Sequence, residues 1–227
     1  MASLDVDEIQ SSIAALVDQN QDTTQISSAD YSLRLRYMNM ALDEWSESYD
    51  WDCLYTEYNT LTSTSTGNAS IGMPADFRKL ASFPKITHTG VQTDSFPEVL
   101  PINDGQFSDT DKRVWLLGNP HDNYTLFVKG VNLQSGASIF VPYYKSPASL
   151  ASGSQVPEIP CGQFIFRRVI AYLWQGREDP RYPQAQADAD RELQNLIQFE
   201  ATKGRASYDD TIKTVEQTRA QYRWGRD

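Results

Sequence analysis

The sequence predicts an α+β protein: a four-helix bundle with an inserted antiparallel β-sheet or small β-sandwich, followed by an extended or helical C-terminal arm. Three observations carry this. Apolar residues recur at helical spacing towards both ends of the 227-residue chain. A central block alternates short β-rich runs with turn residues. Beyond Gly204 the apolar stripe thins and the charge changes sign. The divisions read as 1–53 for an N-terminal helical hairpin, 54–147 for the β-rich insertion, 148–204 for a second helical hairpin and 205–227 for the arm.

In the first helix Val6, Ile9, Ile13, Leu16 and Val17 fall at spacings of three and four, giving one apolar stripe. Asp5 followed by Glu8 forms a capping-box pattern, in which each side chain satisfies a backbone N–H left open at the helix start. "NQDTTQ" breaks the pattern, and Ser27 or Ser28 caps a second helix whose face holds Leu33, Tyr37, Met40, Ala41 and Trp45. Six runs then read as strands: "LYTEYNTL", "LASFPKIT", "EVLPI", "RVWLL", "YTLFVKG" and "SIFVPYY". Between them stand turn-forming stretches, with "STSTGN" read as a hairpin tip and "HTGVQTDSFPE" as a long exposed loop. Within "GMPADFRKL", Pro74 restricts Met73 to extended backbone, Asp76 caps a short turn, and Phe77 and Leu80 anchor it, so Pro74, Asp76 and Phe77 make a stiff structural joint. It sets the sheet against the bundle.

Helical texture returns after "SPASLASGSQVPEIP". Phe166, Val169, Ile170 and Leu173 share one face, and Phe164, Ile165, Tyr172 and Trp174 widen it, which makes this helix central. "REDPRYP" ends it, and Ala185, Ala189, Leu193, Leu196 and Ile197 mark a fourth helix. The segment from Gly204 carries a thinner stripe of Tyr208, Ile212, Val215, Arg219 and Tyr222. That stripe is too thin to stabilise an isolated helix.

The net charge of −10 argues against a cationic face for nucleic acid or anionic lipid. It is unevenly spread. Residues 1–52 hold eleven acids against Arg34 and Arg36, whereas from Lys203 onward six basic residues face four acids. No run reaches the roughly 18 apolar residues of a membrane span, and no signal-peptide core opens the chain, so a cytosolic, membrane-free product is expected. Cys53 and Cys161 read as reduced thiols.

The residues offer little chemistry. His88 and His121 lie in polar, turn-rich stretches without ligand-spaced partners, and no metal-protease, redox, nucleophile-elbow or phosphate-loop motif occurs. Asp5/Asp7 and Asp188/Asp190 are two apart on helices and point to different faces. Asp109/Asp111, in a loop, is the best cation candidate, and thirty acids make such pairs common. The aromatic run "YDWDCLYTEY" lacks the basic groove of a single-strand platform and reads as packing between helix and strand. No catalytic residue, metal or cofactor is expected.

Several stretches together resemble a known family. "ALDEWSESYDWDCLYTEYNTLT", the Gly-Asn hairpin and "IGMPADFRKL" are similar to the front half of head-to-tail adaptor (connector) proteins of tailed bacteriophages, including the tail-tubular-A-like group. "IFVPYYKSPASLAS" and "REDPRYPQAQADADRELQNLI" are similar to the back half. The resemblance spans roughly residues 30–200, with Met73 where the family has Leu, and the strands between the two motifs carry none of it.

It implies a virion protein, made in the host cytoplasm and placed in the neck. Twelve copies would form a ring between the portal protein and a tail or nozzle protein. Double-stranded DNA would cross the lumen without specific binding, repelled by acidic walls. The resemblance further implies that the C-terminal arm orders on the portal through Tyr208, Ile212, Val215, Arg219, Tyr222, Arg223, Trp224 and Arg226. A stopper, tail completion or fibre-attachment protein, or a virion glycan hydrolase, are the alternatives.

Overall fold

The Asp5–Glu8 pair opens the first helix as its spacing predicts. In the computed structural model Glu8 N donates to Asp5 Oδ1 at 2.8 Å and Asp5 N donates to Glu8 Oε2 at 3.0 Å, starting α1 (Val6–Val17). The structure describes residues 4–18, 26–60, 69–82, 85–88, 91–95, 113–119, 123–129, 138–151 and 153–223, and of residues 59–60, 69, 85–88, 91–95, 138 and 204–223 the backbone alone. These residues form an α+β protein with four helices and two small antiparallel sheets, and the chain divides into two units. One contains residues 1–49 and 149–227, the other residues 50–148.

The first unit holds α1, α2 (Ser28–Ser48), α3 (Gln163–Gly176) and α4 (Tyr182–Arg223). Ser27 is the cap of α2, its Oγ accepting from Asp30 N at 3.1 Å. α1, α2 and α4 each pack on α3. The core joins Val6, Ile9 and Ile13 to Met38, Leu42 and Trp45, and to Phe164, Ile165, Val169 and Leu173, with Ala185 and Ala189 letting α4 approach closely. Val169, Ile170 and Leu173 are buried as predicted, while Trp174 is only half-buried.

Two helical faces differ from expectation. On α1, Leu16 is 49% exposed, and Gln10 and Ala14 take inward places. On α2 the buried stripe is Arg34, Met38, Ala41, Leu42 and Trp45, which leaves Leu33 and Met40 exposed. The reason is Arg34. Its guanidinium is neutralised by Asp18 at the end of α1, and Asp18 also accepts from Arg177 Nη2 at 3.2 Å. A paired arginine can therefore turn inward where an unpaired one could not.

The chain before α3 belongs to this unit through its backbone. Val6 N donates to Gln155 O at 3.1 Å and Asp7 N to Gly153 O at 2.9 Å, satisfying donors of the first turn of α1. Asn39 grips Leu150 from both sides, accepting from its N–H at 2.7 Å and donating to its carbonyl at 3.0 Å. α4 also departs from the reading. It runs through Gly204 without a break, so the segment expected as a separate arm is its continuation to Arg223. A single helical Gly costs only about 1 kcal/mol relative to Ala, which 42 residues of helix absorb.

The second unit opens with a 3₁₀ turn, Asp52–Leu54, and its described residues form eight strands: β1 (Tyr55–Thr60), β2 (Ala69–Gly72), β3 (Phe77–Leu80), β4 (Lys85–His88), β5 (Val91–Ser95), β6 (Arg113–Asn119), β7 (Asn123–Lys129) and β8 (Ser138–Lys145). One sheet has the order β1-β8-β4-β5, with β3 also paired to β8; the other has the order β2-β7-β6. A shared core of Ile71, Val114, Leu126, Val128, Ile139, Val141 and Tyr143 draws on both sheets. β5 lies in the stretch read as an exposed loop, and "LASFPKIT" divides between the end of β3 and the start of β4. The expected strand "EVLPI" and the whole of "STSTGN" lie outside the described residues. In the β6–β7 hairpin, Asn119 faces Asn123. Gly118 there has φ 117°, and a Cβ would meet the Asn123 carbonyl, so this position requires Gly.

Candidate functional site

The first unit places its charges between helices. Arg168 of α3 is 6% exposed and donates to Glu44 Oε1 on α2 and Asp190 Oδ1 on α4, both at 2.6 Å. The Tyr172 hydroxyl donates to Glu44 Oε2 at 3.0 Å. Burial, and then the Glu44 charge, push its phenol up to about 12. One guanidinium thus fixes three helices. Arg168→Met keeps the bulk of the stem, removes two charged hydrogen bonds and lets the half-exposed Glu44 and Asp190 rehydrate. It is expected to lower stability by about 1.5–3 kcal/mol, read as a lower urea midpoint at neutral pH; an unchanged midpoint would mean the network adds nothing.

Beside α3 lies a groove of about 260 Å³, floored by Phe166, Ile170 and Trp174, with Leu16, Arg167 and Asp188 at its edge. Arg181 makes two bonds to Asp179, at 2.9 and 2.7 Å, and its guanidinium lies 4.4 Å from the Trp174 ring centroid. These bonds hold the Asp179 carboxyl down at about 2. Leu33, Tyr37 and Leu173 line a smaller hollow of about 200 Å³. Neither hollow converges catalytic groups.

In the second unit the joint is a crossing between sheets. β2 and β3 belong to different sheets, and residues 73–76 connect them. Met73 N donates to Tyr124 O at 2.7 Å, and Phe77 N to Pro74 O at 3.0 Å, closing the turn. Asp76 accepts twice, at its carbonyl from Ser146 N at 2.6 Å and at Oδ1 from the Tyr143 hydroxyl at 3.0 Å. Phe77 is 5% exposed, its ring 5.2 Å from Tyr124 and 5.5 Å from Tyr143. The turn that holds Pro74, Asp76 and Phe77 thus links the two sheets and lies wholly within this unit, where the sequence reading has it set the sheet against the bundle.

The corner has a pH signature. Burial, and then the bond to Asp76, hold the Tyr143 phenol at about 12 against an ordinary 10.0. A raised phenol pKa means the fold holds the proton. The stabilisation is complete below the unfolded value and is lost as pH rises through the folded one. We expect stability to fall between about pH 10 and 12. Tyr143→Phe should flatten that decline while costing about 1 kcal/mol at neutral pH. Chemical denaturation across that range checks both; an unaltered alkaline decline in the variant would assign it to other groups.

The other sequence candidates are dispersed. His88 lies in β4, whereas His121, Asp109 and Asp111 lie outside the described residues. Cys53 is exposed, Cys161 is buried, and neither forms a disulfide. Among the described residues no group of three or more His, Cys, Asp or Glu is placed to hold a metal ion, and no helix is long and apolar enough to cross a membrane. The aromatic run divides: Trp51 is buried, Tyr58 packs on the sheet core, and Tyr55 is 44% exposed with its ring against Tyr144. Tyr208, Ile212, Val215, Arg219, Tyr222 and Arg223 all fall on the continuation of α4, while Trp224 and Arg226 lie beyond the described residues. The sequence reading missed Asp18, Arg168 and the outer stripe of α2; the acids four to sixteen positions from Arg34 were the available signal for the first. Compared with protein-family models and with curated proteins, the chain matches none.

Proposed function

We propose that this chain is a structural virion protein, the adaptor subunit that joins the portal of a tailed bacteriophage to its tail. The observation that carries the reading is the ordered series of motifs along residues 30–200, from "EWSESYDWDCLYTEY" through "IGMPADFRKL" and "IFVPYYKSPASLAS" to "REDPRYPQAQADADRELQNLI". The plan of the chain supports it. Helices from both ends make up one unit and the strands between them make up the other, as expected of a four-helix bundle carrying a β insertion.

The rigid elements suit a ring subunit. Angular error accumulates around a closed ring, and the Asp76 corner and the Arg168 network both limit such error within their own unit. Leu16, Leu33, Met40 and Phe199, left 40–62% exposed, offer apolar surface for neighbouring copies or the tail protein. On this reading twelve copies encircle the genome, DNA passes without specific contact, and the C-terminal half of α4 docks on the portal. Sedimentation of the chain with its cognate portal tests it. Co-sedimentation at twelve chains per portal is expected, and binding to tail protein alone would favour a stopper or tail completion role.

A further inference from the structure

The smaller hollow, between α2 and the C-terminal end of α3, contains a buried guanidinium with an unpaired donor. Its deep side is Arg34 and Leu173, 2% and 6% exposed, and its mouth is formed by exposed Asp30, Leu33, Gly176 and Arg177. Tyr37 makes one wall, its ring 5.4 Å from that of Tyr172. Arg34 commits Nη2 to Asp18, while its buried Nη1 has no hydrogen-bond partner. A donor of a charged group left in this state carries the full cost of its lost hydration. Native proteins leave few of them without a partner or ligand.

The charges around the hollow accommodate one anion. Asp18 accepts from both Arg34 and Arg177, so two guanidiniums share one carboxylate. Asp30 is the acid of the lining itself. It stands in the first turn of α2 and accepts from Ser27 Oγ at 2.7 Å, where the positive end of the helix offsets its charge. A monoanion therefore balances the remaining guanidinium charge. A dianion such as phosphate would set a second charge against Asp30 at the mouth.

The rest of the lining is apolar. Leu33, Leu173 and the Tyr37 ring favour an alkyl body over a fully hydrated ion. The volume of about 200 Å³ corresponds to about six or seven waters at about 30 Å³ each, the size of a four-carbon acid.

We infer that this hollow is a binding site for a short-chain aliphatic monocarboxylate. Its carboxylate pairs with the guanidiniums of Arg34 and Arg177, and its chain lies on Leu33, Leu173 and Tyr37. Bound there, the ligand ties α2 to the end of α3 and completes the pairing that Asp18 begins. The site lies wholly within the first unit, so it requires no portal and stands independently of the adaptor reading.

Thermal denaturation of the full chain in a butyrate series tests it. A ligand of the native state raises the midpoint by mass action. The rise is expected to saturate, with half-saturation at about 1 mM, the scale of a charged hydrogen bond and a short buried chain. Butyramide, which has the same shape without the charge, should give no saturable rise, nor should inorganic phosphate or sodium chloride at matched ionic strength. Two variants locate the effect. Gly176→Leu fills the hollow and is expected to fold, since a Cβ at this helical position stands in ordinary contact, 3.8 Å from the Tyr37 hydroxyl. It should abolish the butyrate response. Arg177→Gln removes the charge at the mouth, leaves Asp18 paired with Arg34 and should raise the half-saturating concentration about tenfold. A wild type with no saturable butyrate response, equal responses to butyrate and butyramide or chloride, or either variant responding as wild type would each overturn the inference.

Discussion

Leu173→Ala is expected to lower the free energy of unfolding by about 2–5 kcal/mol, the range for truncating a buried leucine that leaves a cavity. Leu173 is 6% exposed on α3, the helix on which the other three pack. Neighbouring Val169 and Phe164 are fully buried, but Leu173 itself borders the hollow it shares with Leu33 and Tyr37, so the site can relax in part. That places the effect towards the lower end of the range. Thermal and urea denaturation of the variant read it directly. A melting temperature equal to wild type would contradict the central place given to α3.

Deletion of residues 205–227 is expected to abolish docking on the portal while leaving both units folded. The core residues on α4, namely Ala185, Ala189 and Leu193, and inward-turned Glu200 with its Lys203 partner at 2.6 Å, all precede the cut. The removed segment holds the apolar and arginine positions that dominate interface energetics. Circular dichroism should show a reduced helical signal and a nearly unchanged melting midpoint, and portal capture should be lost. A truncated chain that binds portal with full affinity would remove the C-terminal segment from the interface.

Much of the fold was legible because the relevant signals are local. The capping box at Asp5 and Glu8, the Ser27 cap, the apolar girth of α3 and the small residues of α4 need only neighbouring sequence, and each element formed where these signals lie. β1, β6, β7 and β8 carry Val, Phe, Tyr and Trp and were readable from them. β5, "VQTDS", was not. It ends its sheet, and a polar edge strand needs no alternating apolar pattern. β2 has four residues, too few for a period.

The face of α2 was misread for a different reason. Apolar spacing put Leu33 and Met40 inside, whereas the charge pair of Arg34 with Asp18 turns the helix the other way. Hydrophobic patterns assign charges to the surface, and a partner sixteen residues away in another helix is invisible to them. The same blindness hid Arg168, whose acids lie 124 and 22 positions away. The candidate docking stripe on α4 was readable as spacing, but its continuity through Gly204 was not, since Gly reads as a stop.

The adaptor reading meets its most direct test in electron-microscope images of the purified chain mixed with its cognate portal. The account predicts a twelvefold ring capping one face of the portal, with an open lumen wide enough for duplex DNA and the C-terminal half of α4 against portal density. Portals that remain bare, or a chain that decorates only tail particles, would contradict it.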